Sequence, residues 1–351
     1  MKKVFLLFLL TLPYFIFSQT KYLDLTSSLP KNYVKDGSVD YTSYLQKMID
    51  THNNILFPNF PIRINYNGLK LKSNSVYKFQ SKSKLIMDPN DKSGYNMLDS
   101  NGKENIKIIN AVLVGDKDQH KGTNGEWGFG ISIRGSKNIT IENAKIYNCF
   151  GDGIYIGRLN KKISENIVVS NSYVTNSRRN GLSITSGINI KVCDSKFVSS
   201  KGKGPSSGID IEPNNSSDEI SGIVLDNITT ERNENWGLLI NLVNLRKDNN
   251  SNKKVSITIS NFTDNESKYG LSFWLNRKNK FTRNVTGSII FNKVKLNNNK
   301  EEPIKYYDTN SNEINLVIND LFVDSNSVNK LNNVIKNYKE SDNKIKFKTI
   351  K

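Results

Sequence analysis

The chain has 351 residues, with 50 Lys plus Arg against 33 Asp plus Glu, for a formal net charge of +17. Hydrophobic residues make up 36% and charged residues 24%, enough apolar mass for a packed core and too much for a disordered chain. Two cysteines and two histidines exclude a disulfide-stapled toxin and a zinc finger, and the composition excludes a collagen-like fibre. At the N-terminus, Lys2 and Lys3 precede an apolar run from Val4 to Phe17, and Ser18-Gln19-Thr20 follow. That order describes a secretory signal peptide over residues 1–18. The run falls short of the roughly 20 apolar residues that a membrane span needs. No other window is long and apolar enough, so the mature chain is expected to be secreted or periplasmic, without a membrane span.

Residues 19–54 read as an N-terminal cap. Leu45, Met48 and Ile49 lie at i, i+3 and i+4, one face of a short helix, with Asp40 or Thr42 able to cap it. A solenoid must hide the apolar end of its core, and an amphipathic helix can do so. Asn54-Ile55-Leu56-Phe57-Pro58 reads as a first strand, and Leu69–Leu71 and Val76–Phe79 as further short strands.

From there the chain repeats. An apolar-x-Asn/Asp pattern recurs at Asn110, Asn143, Asn171, Asp194, Asn227, Asn261 and Asn292, at separations of 33, 28, 23, 33, 34 and 31 residues. A second pattern, glycine followed by apolar-x-apolar, starts at Gly130, Gly153, Gly181, Gly208, Gly237 and Gly270 and keeps phase with the first. Each run alternates at the strand period of two, and helical spacing is absent. Short parallel strands repeating at this period predict an all-β fold, a single-chain right-handed parallel β-helix over residues 55–325, with 326–351 as a C-terminal cap or tail. The recurrent Asn is expected to form a ladder at one corner.

The stretch Asp36 to Phe57, a DG-x-x-D-x-T-x-x-L-Q-x-x-I-D cap followed by I-L-F-P, resembles the start of secreted proteins of the pectate-lyase-like β-helix superfamily. Gly151-Asp152-Gly153-Ile154, Arg178-Arg179-Asn180-Gly181 and Gly208-Ile209-Asp210-Ile211-Glu212-Pro213 resemble a bacterial subgroup described as right-handed parallel β-helix proteins. The resemblance implies polysaccharide chemistry at the sheet surface, often on acidic sugars. One such fold hosts hydrolases, lyases, epimerases and non-enzymatic fibres, so it names no substrate.

Stacking the glycines gives columns. The residue two after each glycine runs Ser132, Tyr155, Ser183, Asp210, Leu239, Ser272, and the residue four after runs Arg134, Gly157, Thr185, Glu212, Asn241, Trp274. Asp152, Tyr155, Asp210 and Glu212 would share one outward patch about 10–15 Å tall. Asp210 and Glu212 alternate with Ile209 and Ile211, which puts their Cα atoms about 6.5–7 Å apart on an exposed sheet face. Retaining glycosidases hold two carboxyl groups about 5–5.5 Å apart and inverting ones about 6.5–9.5 Å. Asp152, Asp210, Glu212 and Arg179 are therefore the candidate catalytic residues.

Arg178 and Arg179 enter the intervening coil, where a guanidinium fork matches the carboxylate or sulfate of an acidic sugar. Asn180 and Tyr155 complete the expected binding set, together with a loop over residues 115–128. In that loop Trp127 could stack on a sugar and His120 could serve as acid or base. Asp116 and Glu126 could orient His120 or hold a Ca²⁺. Trp236, Tyr269 and Trp274 extend the same face. Cys149 and Cys193 fall at different coil positions, two coils apart, and are expected to be buried and unpaired.

The positive charge favours an anionic partner. No nucleic-acid module appears and the basic residues are scattered, so an acidic polysaccharide fits better than nucleic acid. Three functions follow: a glycoside hydrolase using the carboxylates, a lyase or uronate epimerase using Arg, Tyr or His, and a glycan-binding or scaffold protein.

Overall fold

The computed structural model describes residues 21–246, 252–276, 285–307, 313–324, 328, 330–331 and 345–347. Alternation at period two commits each segment to extended backbone, because only there do residues i and i+2 share a face. The described strands pair in parallel and form two sheets, of 17 and nine strands. The nine-stranded sheet comprises β1 (Leu69–Lys70), β2 (Gly94–Asp99), β3 (Trp127–Arg134), β4 (Ile154–Gly157), β5 (Leu182–Ile184), β6 (Ile209–Ile211), β7 (Trp236–Asn241), β8 (Tyr269–Trp274) and β9 (Glu302–Tyr306). Neighbours in this sheet follow chain order, so each coil adds one rung.

Inward residues stack along the axis. Ile131, Ile154, Leu182, Ile209, Leu238, Leu271 and Ile304 form one column of the nine-stranded sheet. Ile139, Ile167, Ile190, Ile223, Ile257, Ile289 and Leu316 form a column of the larger sheet. All are buried in one core. Each such side chain contributes about 1.5–3 kcal/mol of burial. The glycine column has a steric cause: a Cβ on Gly181 would sit 2.6 Å from the Gly208 carbonyl oxygen.

Asparagine ladders mark the corners. Asn110, Asn143, Asn171, Asp194, Asn227 and Asn261 all have positive φ, as the sequence pattern requires of one recurring turn. The next corner is Lys293, not Asn292, which instead stacks on Ser260. A second ladder runs through Asn74, Asn105, Asn138, Asn166 and Asn189, each amide donating to the previous one at 2.8–3.2 Å.

Helix α1 (Thr42–Thr51) buries Thr42, Leu45 and Ile49 against the first coils, with Met48 packed at the margin. Asp40, one residue ahead of the Tyr41 N-cap, accepts the Thr42 amide and hydroxyl at the helix start. Ahead of it, Leu23–Asp24 pairs with Ile55 and Leu56, so the larger sheet begins within the cap segment.

Residues 1–18, read as a signal peptide, lie outside the described residues. In the C-terminal segment Leu331 is buried in the core and Ile345–Phe347 pairs with Glu313–Val323, so the sheet continues past residue 325. Among the described residues no helix is long and apolar enough to cross a membrane. Cys149 is buried and Cys193 is half-buried, and both are free. Cys193 faces outward because it sits at an i+1 position beside inward Val192.

Candidate active site on the nine-stranded sheet

The register brings the sequence columns together. Tyr155, Ser183, Asp210, Leu239, Ser272 and Lys305 are successive partners across β4 to β9. Beside them run Thr185, Glu212, Asn241, Trp274 and Tyr307; the Glu212 amide donates to Ile184 O and the Tyr307 amide to Phe273 O, extending β6 and β9 in register.

At the middle of this face five expected residues converge: Asp152, Arg179, Asn180, Asp210 and Glu212. Arg179 Nη1 donates to Asp152 Oδ2 at 3.0 Å, and the Ser183 hydroxyl donates to the same oxygen at 2.8 Å. The Asn180 amide donates to Asp152 Oδ1, and its side chain donates to Asp210 Oδ2, both at 3.0 Å. Asn241 Nδ2 donates to Glu212 Oε1 at 2.6 Å. Asn180 thus links the two aspartates, and its own Oδ1 accepts the Ser207 amide at 2.9 Å.

One expectation changes here. The carboxylates were placed on an exposed sheet face, yet Asp152 is 0% and Asp210 1% exposed. They belong to coils on either side of the turn carrying Arg179 and Asn180, which hydrogen-bonds to both. Glu212, one position past β6, keeps partial exposure.

Burial sets the electrostatics. It raises the Asp152 carboxyl pKa, with Arg179 working against it. Burial pushes Asp210 well above the usual carboxylate range; Glu212 and Asp152 add to this, while Arg179 and Asn180 oppose it. Its Oδ1 is buried without a hydrogen-bond partner among the described residues. For Arg179, burial works against the charge, but Asp152, Asp210, Glu126 and Glu212 outweigh it and raise the pKa. The result is a cation fixed among acids whose carboxyls burial pushes toward the neutral form.

The remaining candidates are placed differently. Arg178, expected to bind substrate, donates to the carbonyls of Gly125 and Thr123 and lies 4.2 Å from the Phe150 ring centroid. It ties down the 115–128 loop. His120 stacks on Phe150 at 3.5 Å, and its Nδ1 lies 2.7 Å from Asp116 Oδ2. Its side chain is 2% exposed, not displayed on an open loop. Asp116 also accepts from Tyr95 and Asn90, so its oxygens are engaged. Glu126 contributes instead to the field at Arg179. Among the described residues no group of three or more His, Cys, Asp or Glu is arranged to hold a metal ion. Trp127 is 52% exposed at the start of β3. Tyr155 stacks on Phe129 at 4.7 Å beneath Arg134, and its hydroxyl meets Thr185 at 3.0 Å and Asn214 at 3.2 Å.

Beside Glu212 opens a trough of about 380 Å³, lined by Glu212, Asn241, Val243, Trp274, Asn276 and Tyr307. Of these, sequence columns point to Glu212, Asn241 and Trp274. Tyr307 escaped because the Glu302–Tyr306 strand opens on Glu302-Pro303 with no glycine signature. Ser183 stood in a column, but a lone serine carries no chemical signal of its own.

Residues 48–217 match a protein family described as the right handed beta helix region. The chain folds as a right-handed parallel β-helix. Among curated relatives of this β-helix protein, the SPβ prophage-derived uncharacterized protein YorA of Bacillus subtilis is 32% identical over 162 residues. That stretch covers 41% of this chain and 28% of the relative, so the chain spans well under two thirds of the relative's length. The A-module of the Azotobacter vinelandii mannuronan C-5 epimerase AlgE4 superposes with a TM-score of 0.56 at 12% identity, covering 86% of this chain and 87% of its own. The tailspike protein gp49 of the Acinetobacter baumannii bacteriophage Fri1, a capsular polysaccharide depolymerase, superposes at 0.58 with 14% identity, covering 94% and 63%. At these identities the likeness is one of fold.

Proposed function

We propose that this β-helix protein is exported and acts on an acidic polysaccharide, cleaving glycosidic bonds by hydrolysis on the face of β5 to β8. The observation that carries the reading is the adjacency of Asp210, whose carboxyl pKa burial pushes well above the usual range, and Glu212, which heads an aromatic-walled trough. Two carboxyl groups whose surroundings push their proton affinities apart supply an acid and a base at one pH. Glu212 is the base by position: it takes a proton from water as the water oxygen bonds to the anomeric carbon. Asp210 is the acid because burial favours its neutral form: its proton passes to the leaving oxygen as the glycosidic bond breaks. Because Asp210 is shielded, substrate must part the side chains over it, and the reading includes that movement. Arg179 pairs with Asp152 at 3.0 Å and opposes the rise in its pKa that burial causes. The polysaccharide-acting neighbours with this fold, and the positive net charge, support the substrate class.

The test incubates the protein with a panel of anionic polysaccharides and reads both reducing ends and unsaturated products. Hydrolysis gives new reducing ends without unsaturation, and Glu212→Gln and Asp210→Asn each lower the rate by about 10²–10⁴-fold. Unsaturated products would select elimination, with Tyr155 or Arg179 at the C5 proton. Glycan binding without either product would reduce the face to a binding surface.

A further inference from the structure

The chemistry of the face changes along the axis. Its carboxylates cluster up to Glu212, and beyond it, on β7 to β9, stand Trp236, Tyr269, Trp274 and Tyr307. The Trp274 and Tyr307 rings meet edge to face at 4.6 Å, forming a rigid corner of the trough. Lys305 Nζ lies 5.8 Å from the Tyr269 ring centroid and 5.9 Å from that of Tyr307, and Lys268 Nζ lies 5.5 Å from Tyr269. Glu302 Oε2 pairs with Lys305 at 3.0 Å, leaving one lysine in excess over carboxylates in this group.

Unmet hydrogen-bonding capacity in this part of the face tilts toward donation. Trp274 Nε1 and Ser272 Oγ are buried without partners among the described residues. An indole N–H can only donate. A buried donor left unpaired costs about 1–3 kcal/mol, which a ligand oxygen recovers. Lys305 also falls in the Asp210 column, three rungs further on, about 14 Å at the rung spacing.

We infer that β7 to β9 form a subsite for a carboxylate-bearing sugar, with Trp274 and Tyr307 taking a pyranose face and Lys305 the carboxylate of an adjoining unit. The inference rests on the polysaccharide reading of this face and adds a direction to it. With Asp152 paired to Arg179, an anionic chain is repelled in the middle coils by Glu212 and drawn to the lysines of the late ones. A glycan along the axis, with its reacting bond at Glu212, therefore places its charged units on the Lys305 side.

The test uses calorimetric titration of Glu212→Gln protein, to suppress turnover. The probes are a panel of oligouronates and the same oligomers with their carboxyls reduced to neutral alcohols. The charged form should bind about tenfold tighter, a difference of about 1.4 kcal/mol, and the preference should shrink as salt screens it. Adding Lys305→Gln should abolish the preference while leaving neutral-oligomer binding intact, and Lys305→Arg should retain it. Trp274→Ala should weaken both forms. Equal affinity for charged and neutral oligomers would overturn the subsite and leave the polysaccharide reading standing. A preference that survives Lys305→Gln would overturn the assignment to Lys305. Binding of neither form would overturn both readings together.

Discussion

Replacing Arg179 with Met asks whether one guanidinium holds the buried acids in place. Arg179 is 17% exposed and donates to Asp152, which is fully shielded. Methionine keeps part of the apolar stem and removes the charge. Asp152 would retain the Ser183 hydroxyl and the Asn180 amide but lose the positive charge beside it. Breaking a buried pair from one side costs about 3–5 kcal/mol, against about 0–1 for an exposed bridge. The loss should also depend on pH. Burial already raises the Asp152 and Asp210 pKa values, and Arg179 is the largest influence opposing it at both, so the variant raises them further. A carboxyl whose folded pKa lies above its unfolded value binds its proton more tightly in the fold. The fold is then favoured below the unfolded pKa and loses that advantage as pH rises through the folded one. The Arg179→Met penalty is therefore largest at about pH 8 and shrinks toward pH 5 and below. Urea unfolding followed by circular dichroism at several pH values reads this directly. The double variant Asp152→Asn/Arg179→Met should recover much of the loss at high pH. A penalty under about 1 kcal/mol at neutral pH, or one indifferent to pH, would refute the reasoning.

Three further outcomes follow from the solenoid itself. Asp264 is fully buried, and burial raises its pKa to about 7 despite bonds from Thr230, Ser267 and Asn299. Its contribution to stability should fall as pH rises from about 4 to 7 and level off above, and Asp264→Asn should flatten that slope; identical slopes would count against it. Phe262→Ala opens a cavity at a fully buried core position and should cost about 3–5 kcal/mol, read as a shift in the urea midpoint. Asn138 combines φ +56° with ladder bonds to Asn105 and Asn166. Asn138→Ala should therefore lose more than Asn138→Gly, since glycine keeps the left-handed backbone without the roughly 1–2 kcal/mol penalty; the reverse order in melting temperature would refute the argument from the positive φ.

The coil register was legible in the sequence. Alternation, corner residues and the glycine column are local features that recur once per coil, so partners such as Tyr155, Ser183 and Asp210 can be aligned without coordinates. The alignment slips where the signature fades, at Asn292 and at the glycine-free strand before Tyr307. What the linear chain left open is the fate of side chains off the strands. Arg178 and Arg179 are identical neighbours, yet one ties down a loop and the other pairs with Asp152. His120 turns into a clasp with Asp116 and Phe150, and Asp210 is buried against Asn180 of the preceding coil. These outcomes depend on how turns from separate coils fold across one another. Strand periodicity sets which way a residue faces; only the packed coils set what covers it, and burial is what decides which carboxyl keeps its proton.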